Sequence, residues 1–262
     1  MRKGAPMVEV HVVPALTDNY IHIIHDAAHG LTIVVDPGEA APVRAFLSER
    51  GWRLTHILAT HHHGDHIGGI PDLRADSHAM LIGPRAEIDR IPEMDATHGE
   101  GDIFTLGSQT VRVFDTPGHT RGHCAFFFEE ARLLFSGDTL FSLGCGRLFE
   151  GTPAQMWDSL STLRALPGDT RVHCGHEYTA SNARFARSID PDNAALKARA
   201  EEVAALRAKG LPTVPSRLSD EIAANPFLRA DDPGLAAHFG MTGAPPATVF
   251  AAIRKAKDEF RG

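Results

Sequence analysis

The feature that most restricts this chain is Thr60-His-His-His-Gly-Asp-His66, in which four histidines and an aspartate fall within six positions. The apolar run Ile57-Leu58-Ala59 leads into it, so the chain leaves a strand just before the cluster. At the period of two of a strand, His61 and His63 share one side and His62 points the other way. Gly64 permits a sharp turn, after which Asp65 and His66 can return toward the same space. Imidazole and carboxylate without cysteine suit zinc or a similar divalent ion. A polar loop of solvent-exposed histidines is the plainer alternative, and four ligand-type residues able to converge so closely weigh against it.

The same arrangement recurs down the first two thirds of the chain. Asp115-Thr-Pro-Gly-His119-Thr-Arg-Gly-His123, Ser136-Gly-Asp138 and Cys174-Gly-His176-Glu-Tyr178 each follow an apolar run of strand length. Ligand sites in α/β architectures commonly lie in loops beyond strand ends, so these segments are expected to meet at one edge of the sheets. Strands are expected over residues 8–13, 20–24, 31–35, 56–60, 80–82, 111–114, 124–128, 133–135 and 170–174, with a hairpin loop at 129–132. Residues 43–50 read as a helix ending before Gly51. Thr152, Pro153 and Gly168 bracket another, with Thr152 as its N-cap. From Glu177 onward only helices are expected, as in residues 193–210, which predicts a boundary at 176/177.

A net charge of −7 is a poor sign for a protein that must grip a polyanion, and no apolar run reaches the length of a membrane span. The opening residues are interrupted by Glu9 before a signal-peptide core forms, so the cytoplasm is the expected location. Three cysteines without a C-x-x-C pair argue for reduced thiols and against a disulfide framework.

Through T-H-H-H-G-D-H, T-P-G-H-T-x-G-H, S-G-D and G-H-E-Y the sequence resembles the metallo-β-lactamase superfamily. Asp18-Asn-Tyr20, the segment from Gly144 to Gly151, Gly175-His-Glu-Tyr-Thr179 and Arg254-Lys-Ala-Lys257-Asp make it most similar to the glyoxalase II branch. The resemblance implies an α/β fold, an αββα sandwich over residues 1–176, followed by a smaller all-helical, glutathione-binding domain over 177–262. It further implies two divalent ions, with zinc expected and iron or manganese as alternatives. His61, His63 and His119 would hold one; Asp65, His66 and His176 would hold the other, and Asp138 would bridge. Five imidazoles and two carboxylates then leave an excess of positive charge that favours an anionic nucleophile. Asp65 and Asp138 would carry the catalytic role. His123 falls outside this ligand set and reads as a structural histidine or a partner to a ligand.

The implied activity is hydrolysis of S-(2-hydroxyacyl)glutathione, typically S-D-lactoylglutathione, to glutathione and the 2-hydroxy acid by a bridging hydroxide, the second step of methylglyoxal detoxification. Taken alone, Arg254 and Lys257 on the C-terminal helix read as an ordinary solvated basic face. The resemblance makes them the ligands of the glycine carboxylate, helped by Arg147 and Tyr178. Phe149 replaces a tyrosine found in some relatives and cannot donate its hydroxyl hydrogen bond. Gly64 and His22 stand where relatives carry bulky or aromatic residues. Cys145 and Cys174 read as inert thiols. No nucleic-acid or membrane partner is expected, and a monomer is. The rivals are a persulfide dioxygenase with a single iron, a lactonase and a nucleic-acid-processing enzyme of the same superfamily.

Overall fold

The computed structural model describes residues 8–262. The reading of the opening residues as too polar for a leader falls mostly on residues 1–7, outside those described. The chain divides into two compact units, one running to Asp115 and including Gly122–Gly137, the other made of Thr116–Arg121 and Asp138–Gly262.

The first unit opens with β1 (Glu9–Ala15), β2 (Asn19–Asp26) and β3 (Leu31–Val35), then α1 (Ala40–Arg50), β4 (His56–Leu58), α2 (Gly64–Ile67), α3 (Ile70–Ser77), β5 (Met80–Pro84) and β6 (Ala96–His98). These six strands form one sheet in sequence order, antiparallel through β3 and parallel beyond it. Helices cross over where strands run parallel, because a parallel neighbour cannot be reached by a tight turn. Gly51, at φ 66°, ends α1 by donating to Leu47 and Ser48 carbonyls. An antiparallel meander follows: β7 (Ile103–Leu106), β8 (Gln109–Asp115), β9 (Cys124–Phe128) and β10 (Leu133–Gly137).

Strand alternation divides the apolar residues of the first sheet between two cores. Ile21, Ile23, Val34, Ile57 and Leu81 pack with Val43 and Leu47 of α1 and Ile70 and Leu73 of α3. Ile24, Ile33, Val35, Leu58 and Ile82 face Val111, Val113, Phe126, Phe128 and Phe135 of the meander. Helices on one face and a second sheet on the other bury these strands on both sides, which is why they read as unbroken apolar runs. Two strands were not legible: β6 and β7 are three and four residues long, with largely half-buried or exposed side chains.

The second unit begins with a short hairpin of β11 (Leu140–Phe141) and β12 (Gly144–Cys145). There follow α4 (Pro153–Arg164), β13 (Arg171–Cys174), α5 (Thr179–Ile189), α6 (Ala194–Ala208), β14 (Ser216–Arg217), α7 (Leu218–Ala224), α8 (Pro233–His238) and α9 (Pro246–Glu259). Thr152 and Gln155 form a reciprocal capping box at the start of α4, and the Asn193 side chain caps α6. The expectation of helices alone after Glu177 is corrected by β14, which pairs antiparallel with β13. Two residues are too few to leave an apolar period in the sequence.

A buried polar network fixes the hairpin. Leu143 sits at φ 56°, a left-handed conformation uncommon for a side chain of its size. Its N–H donates to the Glu221 carboxylate at 2.7 Å, and Ser142 Oγ donates to the same group at 2.8 Å. Asn225 Nδ2 donates to the Phe141 and Gly144 carbonyls at 3.1 and 3.0 Å, and Asn182 Nδ2 to the Ser142 carbonyl at 3.1 Å. Burial raises the carboxyl of Glu221 above the usual range, while the hydrogen bonds from Leu143 and Ser142 and the charge of Arg199 act in the opposite direction.

Phe126, fully buried in the inter-sheet core, dominates its local packing. Phe126→Ala is expected to lower the unfolding free energy by about 3–5 kcal/mol, measured by urea denaturation.

Candidate metal centre and anion pocket

In the first unit the donors gather where the chain leaves β4. His61 Nε2 and His63 Nδ1 lie 3.1 Å apart, and the ring centroids of His61 and His66 are 4.2 Å apart. His66 Nε2 is 3.5 Å from Asp65 Oδ2. His61, His63, Asp65 and His66 are thus brought together, as their spacing suggested. His62 turns away and places Nδ1 2.8 Å from the buried Glu87 carboxylate. Gly64 does not make the expected sharp turn. It opens the short helix α2, and a Cβ built there would meet nothing within 4 Å.

The ring nitrogens not facing the cluster are engaged behind it. Asp36, at φ 52° just beyond β3, accepts from Thr60 N and Thr60 Oγ1, both at 2.8 Å, and from His66 Nδ1 at 3.1 Å. Because the Thr60 hydroxyl donates to Asp36, its oxygen accepts from His61 Nδ1 at 3.0 Å. This network assigns the tautomers: Nδ1 carries the proton in His61 and His66, leaving both Nε2 lone pairs toward the cluster. Asn19 Nδ2 orients Asp65, donating to its carboxylate at 3.0 Å and to its carbonyl at 3.2 Å. Gly38 is required here, since a Cβ would lie 2.0 Å from the Asp65 carbonyl oxygen. His123 is buried and stacks on His61 at 4.8 Å.

The second unit gathers its own donors around Asp138. His119 Nε2 and His176 Nε2 lie 3.4 and 3.3 Å from Asp138 Oδ2, and all three side chains are buried. His119 Nδ1 donates to the Arg147 carbonyl at 2.9 Å, which again reserves Nε2 for the cluster. Gly146 allows this approach, since a Cβ there would fall 1.9 Å from the Asp138 carbonyl oxygen.

Donor spacing tests whether these residues suit a metal. Two ligands about 2.0–2.1 Å from one ion at a tetrahedral angle stand roughly 3.3 Å apart. The four pairs above span 3.1–3.5 Å. Three of these histidines also have their second nitrogen held by a hydroxyl, a carboxylate or a carbonyl. The residues fit a divalent ion.

Also in the second unit, α9 presents Arg254 and Lys257 in a setting unlike a solvated face. Arg254 is buried and donates to the Cys145 carbonyl at 2.9 Å and to Asp258 at 2.8 Å, with its guanidinium 5.0 Å above the Phe227 ring. Lys257 Nζ donates to the Ser181 carbonyl and hydroxyl at 3.2 and 3.1 Å, over the Phe185 and Phe260 rings. Burial, then the charges of Arg254, Arg184 and Arg147, push the Lys257 ammonium down to about 8. Arg147 Nε lies 3.8 Å from Asp258. Tyr178 stacks on His176 at 4.7 Å, and the exposed Phe149 ring lies 5.2 Å from His119. The thiols are unreactive by environment: all three cysteines are buried, and burial pushes Cys145 up to about 11 and Cys174 to about 12.

From the sequence alone no role attaches to Asp36 or Glu221, nor to Thr60 and Asn19, although these last two lie within the motifs read from it. Asp36 had a usable signal, because it too follows directly on an apolar strand.

Comparison with known proteins agrees in both segments. Residues 21–176 match the family model of the metallo-beta-lactamase superfamily, and residues 177–260 match that of the hydroxyacylglutathione hydrolase C-terminus. The hydroxyacylglutathione hydrolase of Methylococcus capsulatus is 53% identical over 98% of this chain and 100% of its own. Among solved structures, ETHE1 from Myxococcus xanthus aligns with a TM-score of 0.65 and 22% identity, over 95% of this chain and 97% of its own, which speaks to the fold. A di-iron-bound form of TTHA1623 aligns with a TM-score of 0.56 and 28% identity, over 63% and 90%. The fold is the metallo-β-lactamase sandwich followed by a helical C-terminal region, and this chain belongs to the hydroxyacylglutathione hydrolase family of the metallo-beta-lactamase superfamily.

Proposed function

We propose that the chain hydrolyses S-(2-hydroxyacyl)glutathione thioesters, with S-D-lactoylglutathione as the typical substrate, to glutathione and a 2-hydroxy acid. The reading rests on the family, and the structural observation that carries it is the setting of Arg254 and Lys257. Two neighbouring cations drawn into a partly desolvated position are poised for an anionic group, and the glycine carboxylate of glutathione is one. Residues 1–176 are proposed as the metal-binding catalytic domain and 177–262 as the glutathione-binding domain.

The proposed ligand set is His61, His63 and His119 for one ion, Asp65, His66 and His176 for the other, with Asp138 shared. It is supported by the donor spacing within each unit. Zinc is the expected metal, with iron or manganese able to use the same ligands. Two divalent ions would supply an electrophile for the thioester carbonyl and hydroxide near neutral pH, where bulk water, with a pKa of about 15.7, offers almost none.

The side chains supply the rest. Asp36, Thr60 and the Arg147 carbonyl hold imidazoles in one tautomer and one orientation, so no reorganisation is needed as charge develops. Arg254 and Lys257 are assigned to the glycine carboxylate, with Arg147 and Tyr178 beside them. No general acid is required: a thiolate whose conjugate acid has a pKa near about 8.5 departs unprotonated. Among the described residues no helix is long and apolar enough to cross a membrane. We place the enzyme in the cytoplasm, acting as a monomer, a location to which three buried free thiols are suited.

The deciding experiment is an S-lactoylglutathione assay on protein whose metals have been counted. Two metals per chain and thiol release without oxygen uptake are expected; one iron with oxygen uptake would displace the hydrolase reading. His63→Ala should lower turnover by at least about 100-fold and reduce bound metal, read by elemental analysis. Arg254→Ala should raise KM about tenfold or more with a smaller loss in kcat, and kinetics with the opposite split would undo the carboxylate assignment. Below about pH 8 Lys257 is charged and above it neutral, so KM should climb as pH rises through that value. Lys257→Met should flatten that limb of the profile.

A further inference from the structure

One histidine of the 61–66 motif lies outside the proposed ligand set. His62 stands between two ligands and turns its ring to the opposite side of the chain, with Nδ1 2.8 Å from Glu87 Oε2. Glu87 ends the single helical turn Arg85–Glu87 that follows β5, and its side chain is almost completely shielded from water. Arg90 Nε approaches the same carboxylate oxygen at 3.8 Å from a half-exposed position.

Glu87 also meets the backbone that leads into His123. A Cβ built at Gly122 would lie 2.7 Å from Glu87 Cγ and 2.9 Å from its carboxyl carbon, so the Gly122 main chain is packed directly on this side chain. His123, the next residue, is buried and stacks on the His61 ring. One position further, Cys124 N donates to the Thr60 carbonyl at 2.9 Å. Glu87 therefore closes a circuit of contacts. It reaches the 61–63 loop directly through His62, and again through the segment whose ring lies against His61.

A carboxylate withdrawn from water is costly even when paired, and an apolar side chain of similar volume would fill the same space without that cost. Packing alone does not account for Glu87. What an apolar residue could not do is fix the direction of the His62 ring, and with it the main chain from which His61 and His63 project. The facing nitrogens of those two rings stand 3.1 Å apart. A loop free to relax would let them drift out of reach of one ion, and metal binding would then have to restore the order.

We propose that Glu87 is a positioning residue for the metal centre: through His62 it holds the turn between His61 and His63 in the arrangement that one divalent ion needs. The assignment rests on the proposed ligand set. Glu87 touches neither the ligands' donor atoms nor the substrate, and it acts on how tightly the ion is held.

The test reads metal retention as well as turnover. Zinc-loaded wild type, Glu87→Leu, Glu87→Gln, His62→Leu and His62→Asn are each titrated with a zinc chelator, and the zinc retained is counted. Both leucine variants are expected to bind zinc about 10–100-fold more weakly. Glu87→Gln keeps an acceptor oxygen and His62→Asn keeps a donor near the place of Nδ1, so each should recover most of that affinity. At saturating zinc the leucine variants should lower kcat on S-D-lactoylglutathione and leave KM little changed. The double leucine variant should lose no more zinc affinity than either single one, because the two residues act as a pair. It also leaves no buried charge without its partner, so it serves where a single variant fails to fold. Unchanged zinc affinity in the leucine variants, losses that add in the double variant, or no recovery with Gln and Asn overturns the proposal and leaves the ligand set standing. A wild type that retains no zinc would instead remove the ligand set on which the proposal rests.

Discussion

Lone pairs aimed at one another repel unless a proton or a cation lies between them, and this chain aims several. His61 and His63 nitrogens stand 3.1 Å apart, while Asp138 faces two imidazoles at 3.3 and 3.4 Å. Protons could relieve some of these contacts, but His61, His66 and His119 already spend their Nδ1 protons on acceptors behind the cluster. Much of the surrounding architecture can be understood as the means of holding donors in place against that repulsion.

Main chain does much of the holding. Asp36 takes a left-handed conformation directly after β3, which lets one carboxylate serve the turn after β4 and His66 together. The hairpin of β11 and β12 performs a comparable task in the second unit. Its turn is gripped by Glu221 and Asn225, its Cys145 carbonyl anchors Arg254, and the Arg147 carbonyl just beyond it orients His119. A short piece of backbone therefore ties the placement of a metal-type donor to the placement of the buried Arg254.

Strand ends were the most legible part of the sequence, because a buried apolar run followed at once by His or Asp leaves a clear contrast. That contrast made His61, His63, Asp65, His66, His119, Asp138 and His176 candidates alongside Asp115 and His123, and the family resemblance then implied the set of seven. Asp36 shows the same contrast but lies far from the histidine motif, and its role emerges only once β3 and β4 are paired. Glu221 gave no signal at all, since a lone glutamate in a helix is ordinarily solvated and its partners lie about 80 residues away. Arg254 was identified through family resemblance, as its helical spacing alone suited an exposed basic face. Residues 216–217 could not be read as a strand because pairing with β13, rather than local pattern, creates it.

Gly64 stands beside His63 with open space around its missing side chain and an ordinary helical backbone. Nothing in the packing obliges that position to stay small, so bulk can be added or removed there without remaking the turn that aims the imidazoles. The residue is in effect an adjustable post: side chains of different size can stand beside the histidine loop while the apparatus behind it stays as it is.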